Sequence, residues 1–167
     1  MIRLKSTKIL VYLFLACDPG WEFLEHTRQC YKSVETTLTQ PNAIRACKAE
    51  NPNAHLVSIP DKLTNDFVLS IVKSRSWIGL TKISNQWYWD DGTKAAYTNW
   101  LPMQPSGDGS SVEIVRDIWT GVPGQWNDMH GHNIVYVKGF VCQYNPDNSG
   151  RKKIYRPLFL AKKERGL

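Results

Sequence analysis

The stretch that decides this chain begins at Trp77-Ile78-Gly79-Leu80 and ends at Gly139-Phe140-Val141-Cys142, with Gln104-Pro105-Ser106 and Trp126-Asn127-Asp128 between them. The outer two words are short apolar runs, which read as buried strands. The inner two stand about twenty residues apart and gather side-chain carbonyl, hydroxyl and carboxylate oxygens. Calcium takes six to eight hard oxygens of that kind at once. From Leu101 to about Ser111 the chain is rich in Pro, Gly and Ser. A long irregular loop inside a compact domain is usually functional.

Working outward, Cys17-Asp18-Pro19-Gly20-Trp21 reads as a turn into a strand, and a second strand surrounds Cys30-Tyr31-Lys32. Thr39 stands as an N-cap with Pro41 in the first helical turn, and Ala43, Ile44 and Cys47 share the inner face. Leu56 to Ile59 is a short strand. Pro60-Asp61-Lys62 opens a second helix in which Phe67, Val68, Ile71 and Val72 recur at helical period. Trp87-Tyr88-Trp89 precedes the turn Asp90-Asp91-Gly92, and strands over Val112–Val115, Gly124–Trp126 and Tyr136–Cys142 complete the sheet.

In order and spacing these words resemble the C-type lectin domain, in its long form with an extra N-terminal disulfide, over residues 17–144. The resemblance implies an α+β architecture, the C-type lectin fold. Two small antiparallel sheets would be flanked by two helices, with a long irregular binding loop and disulfide links. Four cysteines suggest two disulfides and an oxidising compartment, and the sequence alone allows three pairings. The resemblance selects Cys17–Cys30 and Cys47–Cys142. A further pair common in the family is missing, with Ser111 at one position and no cysteine around Gly131 at the other. That predicts looser loops near the binding region. Gln40 replaces a tryptophan usual in the family, a change expected to cost packing.

The resemblance also implies a site. Family members hold sugars through a bound Ca²⁺, with Glu-Pro-Asn for mannose-like and Gln-Pro-Asp for galactose-like ligands, the proline being cis. Carried over, Gln104, Ser106, Asp108, Asn127 and Asp128 become the Ca²⁺ ligands, Pro105 the cis-proline, and Gln104 with Asn127 the sugar contacts. Ser106 is a poorer ligand than the family's amide or carboxylate. The acid expected two residues before Ser111 is Gly109, leaving Asp108 as its substitute. So few carboxylates imply weak Ca²⁺ binding. Trp119 is a candidate for stacking on a sugar face, with burial in the core as the alternative; Trp126 is expected to be buried. Two functions follow: a secreted carbohydrate-binding module, weakly Ca²⁺-dependent with galactose-type preference, or a Ca²⁺-independent protein-binding domain with a lapsed sugar site.

Charge narrows the partners. The chain carries a net +6, but residues 17–144 hold 11 basic and 13 acidic residues, so the positive charge lies at the ends. That argues against nucleic acid as a partner of the domain and leaves glycans or glycoproteins. Residues 1–16 resemble a secretory signal, basic and then apolar from Ile9 to Ala16, far short of a membrane span; a first buried strand is the alternative. Export to the extracellular space is the expectation. Residues 145–167 form a basic tail, expected to be mobile, with electrostatic contact to acidic glycans as its functional reading. No nucleophile elbow, phosphate loop or metal-helix motif points to an enzyme.

Overall fold

Residues 17–117 and 122–149 are described by a computed structural model, in which two helices pack on an eight-stranded mixed sheet. The two antiparallel sheets expected from the sequence are its two halves. In the first, β1 (Glu22–Leu24) and β2 (Gln29–Val34) form a hairpin, β2 pairs with β8 (Gly139–Tyr144), and β8 also pairs with the short β3 (His55–Leu56). In the second, β4 (Ser76–Ile83) lies between β5 (Gln86–Trp89) and β6 (Ser111–Ile114), and β6 pairs with β7 (Trp126–Met129). A two-residue parallel register, Ser76 with Gly139 and Trp77 with Phe140, joins the halves. Both joining strands are buried on both faces, over Ser76–Leu80 and Gly139–Tyr144, as strands between layers are.

Helix α1 (Gln40–Glu50) starts after Thr39, whose side chain makes no capping bond; Pro41 sits where a backbone N–H would have no helical partner anyway. Ala43 and Cys47 face inward. Helix α2 (Lys62–Ile71) is capped by Asp61, whose carboxylate accepts from the Thr64 N–H at 2.8 Å and hydroxyl at 2.9 Å. Burial pushes the Asp61 carboxyl up, but the Thr64 donors and His26 outweigh it and hold it below its usual range. Cys47 is bonded to Cys142, tying α1 to β8 across 95 residues, and Cys17 is bonded to Cys30. Closing the longer loop contributes about 4–5 kcal/mol in the chain-entropy view.

Two apolar clusters fill the interior, one around the Cys47–Cys142 bond with Trp77 and Phe140, the other around Trp126. Trp126 is fully buried, donates its indole N–H to Asn65 Oδ1 at 2.8 Å, and meets Trp89, Tyr97 and Trp100 edge to face. Asp90 and Asp91, the adjacent acids of the turn, are structural: Asp90 accepts from the Leu56 N–H, and Asp91 from Ser58 and Thr93.

Several strand boundaries differ from the sequence reading, β6 by one residue (Ser111–Ile114 for the expected Val112–Val115) and three others by more. The strand placed at Gly124–Trp126 begins at Trp126 and runs on to Met129, because Gly124 has φ +88° and belongs to the preceding turn. That shift puts Asn127 and Asp128 on a strand. The last strand is Gly139–Tyr144 rather than Tyr136–Cys142, and of the expected Leu56–Ile59 strand only Leu56 belongs to β3, which begins one residue earlier at His55. Pro146–Ser149, in the segment read as a linker, forms a 3-10 helix. Trp119, the signal-like residues 1–16 and the tail from Gly150 lie outside the described residues.

Candidate functional site

The loop after Trp100 is anchored at its base, where Leu101 N–H donates to Trp126 C=O at 2.9 Å and Trp126 N–H to Asn99 C=O at 2.8 Å. The Gln104–Pro105 bond is cis. Beyond it the chain folds onto β7. The Ser106 N–H lies 2.7 Å from Gln104 Oε1 and 2.8 Å from Asp128 Oδ1, so both oxygens converge on one proton. Gly107 N–H donates to Asp128 Oδ2 at 2.9 Å, a direction reached with φ +85°, which glycine adopts without strain. The Ser106 hydroxyl lies 2.9 Å from Asp108 Oδ1 and 3.3 Å from Asp128 Oδ1. Four of the five sequence-predicted ligands therefore meet, around Ser106.

Asn127 does not join them. Successive strand residues point to opposite sides of a sheet. Asp128 pairs across β6 with the buried core residue Val112, whereas Asn127 pairs with Glu113 and donates its Nδ2–H to Glu113 Oε1 at 3.1 Å. Glu113 is fully buried and ion-paired with Arg75 Nη2 at 2.6 Å. Burial pushes the Glu113 carboxyl up, and Arg75 and Asn127 only partly oppose that. Glu113 and Arg75 escaped the sequence reading, although an acid inside the apolar run Val112–Val115 was a visible signal.

This arrangement does not fit a calcium ion. Both oxygens of the buried Asp128 carboxylate already accept hydrogen bonds, and the Ser106 and Gly107 N–H groups that donate them stand 2.8 and 2.9 Å from it. The missing acid at position 109 has no room: a Cβ there would stand 1.9–2.4 Å from the Met129 and His130 backbone. Asp108, its expected substitute, is exposed and held by Ser106. Among the described residues, no three His, Cys, Asp or Glu side chains gather to hold a metal. His130 and His132 are both exposed.

Where the family's further disulfide is missing, polar contacts take its place. The Ser111 hydroxyl donates to Gln40 Oε1 at 2.7 Å, Gln40 N–H donates to Gly131 C=O at 2.7 Å, and the Gln40 amide nitrogen lies 3.4 Å from the carbonyls of Ile78 and Leu80. A Cβ on Gly131 would lie 3.4 Å from Ser111 Cβ. Gln40, expected to cost packing, is a buried hub joining α1, β4 and β6.

Residues 36–144 match the family described as the Lectin C-type domain. The chain belongs to the C-type lectin domain family. This is a carbohydrate-binding family, and its fold is the one described above. The chain is 30% identical to a lectin of Pleurodeles waltl over 136 residues, 77% of this chain and 76% of that protein. It is 36% identical to mouse C-type lectin domain family 10 member A over 121 residues, 68% of this chain. It spans 38% of that mouse protein's length. Among solved structures, the cow carbohydrate-recognition domain of CD23, determined in the presence of a GlcNAc2Man3 oligosaccharide, superposes with a TM-score of 0.64 at 28% identity, covering 76% of this chain and 94% of that one. The relatives are lectins, receptors and a proteoglycan core protein rather than enzymes.

Proposed function

We propose that this lectin domain is a secreted recognition module for glycans or glycoproteins that works without calcium. The observation that carries this reading is the Asp128 carboxylate, which braces the binding loop by accepting from Ser106 and Gly107 instead of seating a cation. Export is supported by the pairing of all four cysteines, as expected of an oxidising compartment. No catalytic step belongs to this reading.

A weakly Ca²⁺-dependent, galactose-preferring site is the second reading, favoured by the convergence of Gln104 Oε1 and Asp128 Oδ1 on one point. It requires the Ser106 and Gly107 N–H groups to turn away and Asn127 to leave Glu113. A glycan array probed with and without chelator separates the two. The first reading expects the same bound glycans in both conditions. Binding confined to galactose-terminated glycans and abolished by chelator would replace it with the second, and an array blank in both conditions would remove both.

A further inference from the structure

We infer that a basic pocket at the Arg75 end of the sheet binds the acidic group of a sulfated sugar. It is a cavity of about 570 Å³, within the usual range for small-ligand sites, where the chain enters β4, leaves β6 and enters β8. Lys73, Arg75, Arg116 and Lys138 line it against one lining acid, Asp117. These are four of the 11 basic residues in a net acidic domain, so positive charge is locally concentrated here. Lys73, Arg116 and Lys138 are exposed, and Lys138 gives one Nζ–H to the Ile134 C=O.

The ion pairs present leave capacity over. Glu113 neutralises one face of Arg75 from below, through Nη2. The buried Arg75 Nε–H has no hydrogen-bond acceptor, and Asp117 Oδ2 stands 3.9 Å from it. Glu35 lies beside the rim, but its oxygens accept from the Lys73 N–H and the Ser74 hydroxyl. Arg116 gives its Nε–H to Val72 C=O, which leaves its terminal nitrogens for an anion. Guanidinium groups suit sulfate and carboxylate oxygens because their donors match two acceptors at once.

An aromatic wall makes the ligand a sugar rather than a bare ion. Tyr136 is 58% exposed at the pocket mouth, with the Arg75 guanidinium carbon 5.9 Å from its ring centroid. A pyranose ring can lay its C–H face on such a ring while its acidic substituent reaches the cations. Duplex nucleic acid fits poorly, since the rest of the domain is net acidic and would repel an extended polyanion.

The inference rests on the reading that this domain binds glycans, and its test runs in chelator so that calcium plays no part. The full chain is titrated calorimetrically with a heparin-derived tetrasaccharide, its desulfated counterpart and inorganic sulfate. Arg116→Ala/Lys138→Ala is expected to weaken the sulfated tetrasaccharide about tenfold or more. Arg45→Ala/Lys48→Ala on α1 removes the same charge elsewhere and should change affinity by about twofold or less. Tyr136→Ala should cost about fivefold for the tetrasaccharide and nothing for inorganic sulfate. The basic segment beyond residue 150 is present in every arm, so each loss is read as a ratio to the parent chain. Equal losses in both double variants, an unaffected Arg116→Ala/Lys138→Ala chain, or sulfate binding as tightly as the tetrasaccharide would each overturn the pocket. Chelator-resistant array binding that ignores these substitutions would sink the pocket while leaving the proposed function intact.

Discussion

The cluster around Asp128 and the pocket around Arg75, connected through the paired strands β6 and β7, treat charge in opposite ways. Both Asp128 carboxylate oxygens are answered by N–H protons of the neighbouring loop. Around Arg75, cations outnumber the acids that could answer them, and a buried N–H is left without an acceptor. Asn127 and Glu113 form the link between the two, since Asn127 turns from the first cluster towards the acid that anchors the second. A closed polar cluster stabilises a loop, whereas an open one has bonding capacity for a ligand. A family's motif can thus brace a loop through hydrogen bonds, while unanswered donors gather on another surface.

The contrast is broken most severely at position 109. Gly109→Asp should cost about 3 kcal/mol or more, because its Cβ collides with the Met129–His130 backbone, and urea midpoints should fall equally in Ca²⁺ and in chelator. A variant that folds normally and gains Ca²⁺ affinity would show that the loop opens readily to seat a cation. Asp128→Ala comes next. It leaves the Gly107 N–H without its acceptor and the Ser106 N–H with Gln104 Oε1 alone, with an expected loss of about 2 kcal/mol in denaturant unfolding, again independent of Ca²⁺.

A third change sharpens the comparison by stapling the Asp128 side. Ser111→Cys with Gly131→Cys should oxidise spontaneously, given the 3.4 Å approach of the two Cβ positions. The net gain is expected at about 2 kcal/mol, after loss of the Ser111–Gln40 hydrogen bond, and comparing oxidised with reduced protein measures it. Failure to form the bond would mean that Gln40 holds the two segments further apart. The smallest effect lies on the other side, where Lys138→Ala should leave stability within about 0.5 kcal/mol, since its ammonium is exposed and supports only the Ile134 carbonyl.

Much of the fold was legible because its words are apolar and local. Trp77 to Leu80 and Gly139 to Cys142 are buried strands whatever surrounds them, and Trp126 fills the core with its indole N–H satisfied. Asp61 announced its helix by chemistry that acts over three residues. The site was legible only in part. Gln104, Ser106, Asp108 and Asp128 do gather, but the donors that answer Asp128 are backbone N–H groups, which side-chain motifs do not display. The opposed directions of Asn127 and Asp128 depend on β7 running past Trp126, and a strand ended at Trp126 hides that alternation. The exclusion of any side chain at Gly109 comes from a backbone twenty residues away in sequence, from Met129, and no local pattern announces it.

Thermal unfolding of the intact chain in 10 mM CaCl₂ against chelator reads out whether Asp128 braces the loop or seats a cation. A site of about 1 mM affinity would add about 1.4 kcal/mol under that condition and raise Tm by several degrees. With Asp128 already satisfied by Ser106 and Gly107, the two melting curves are predicted to superimpose. A Tm that climbs with CaCl₂, and does so no longer in Asp128→Ala, would contradict the account.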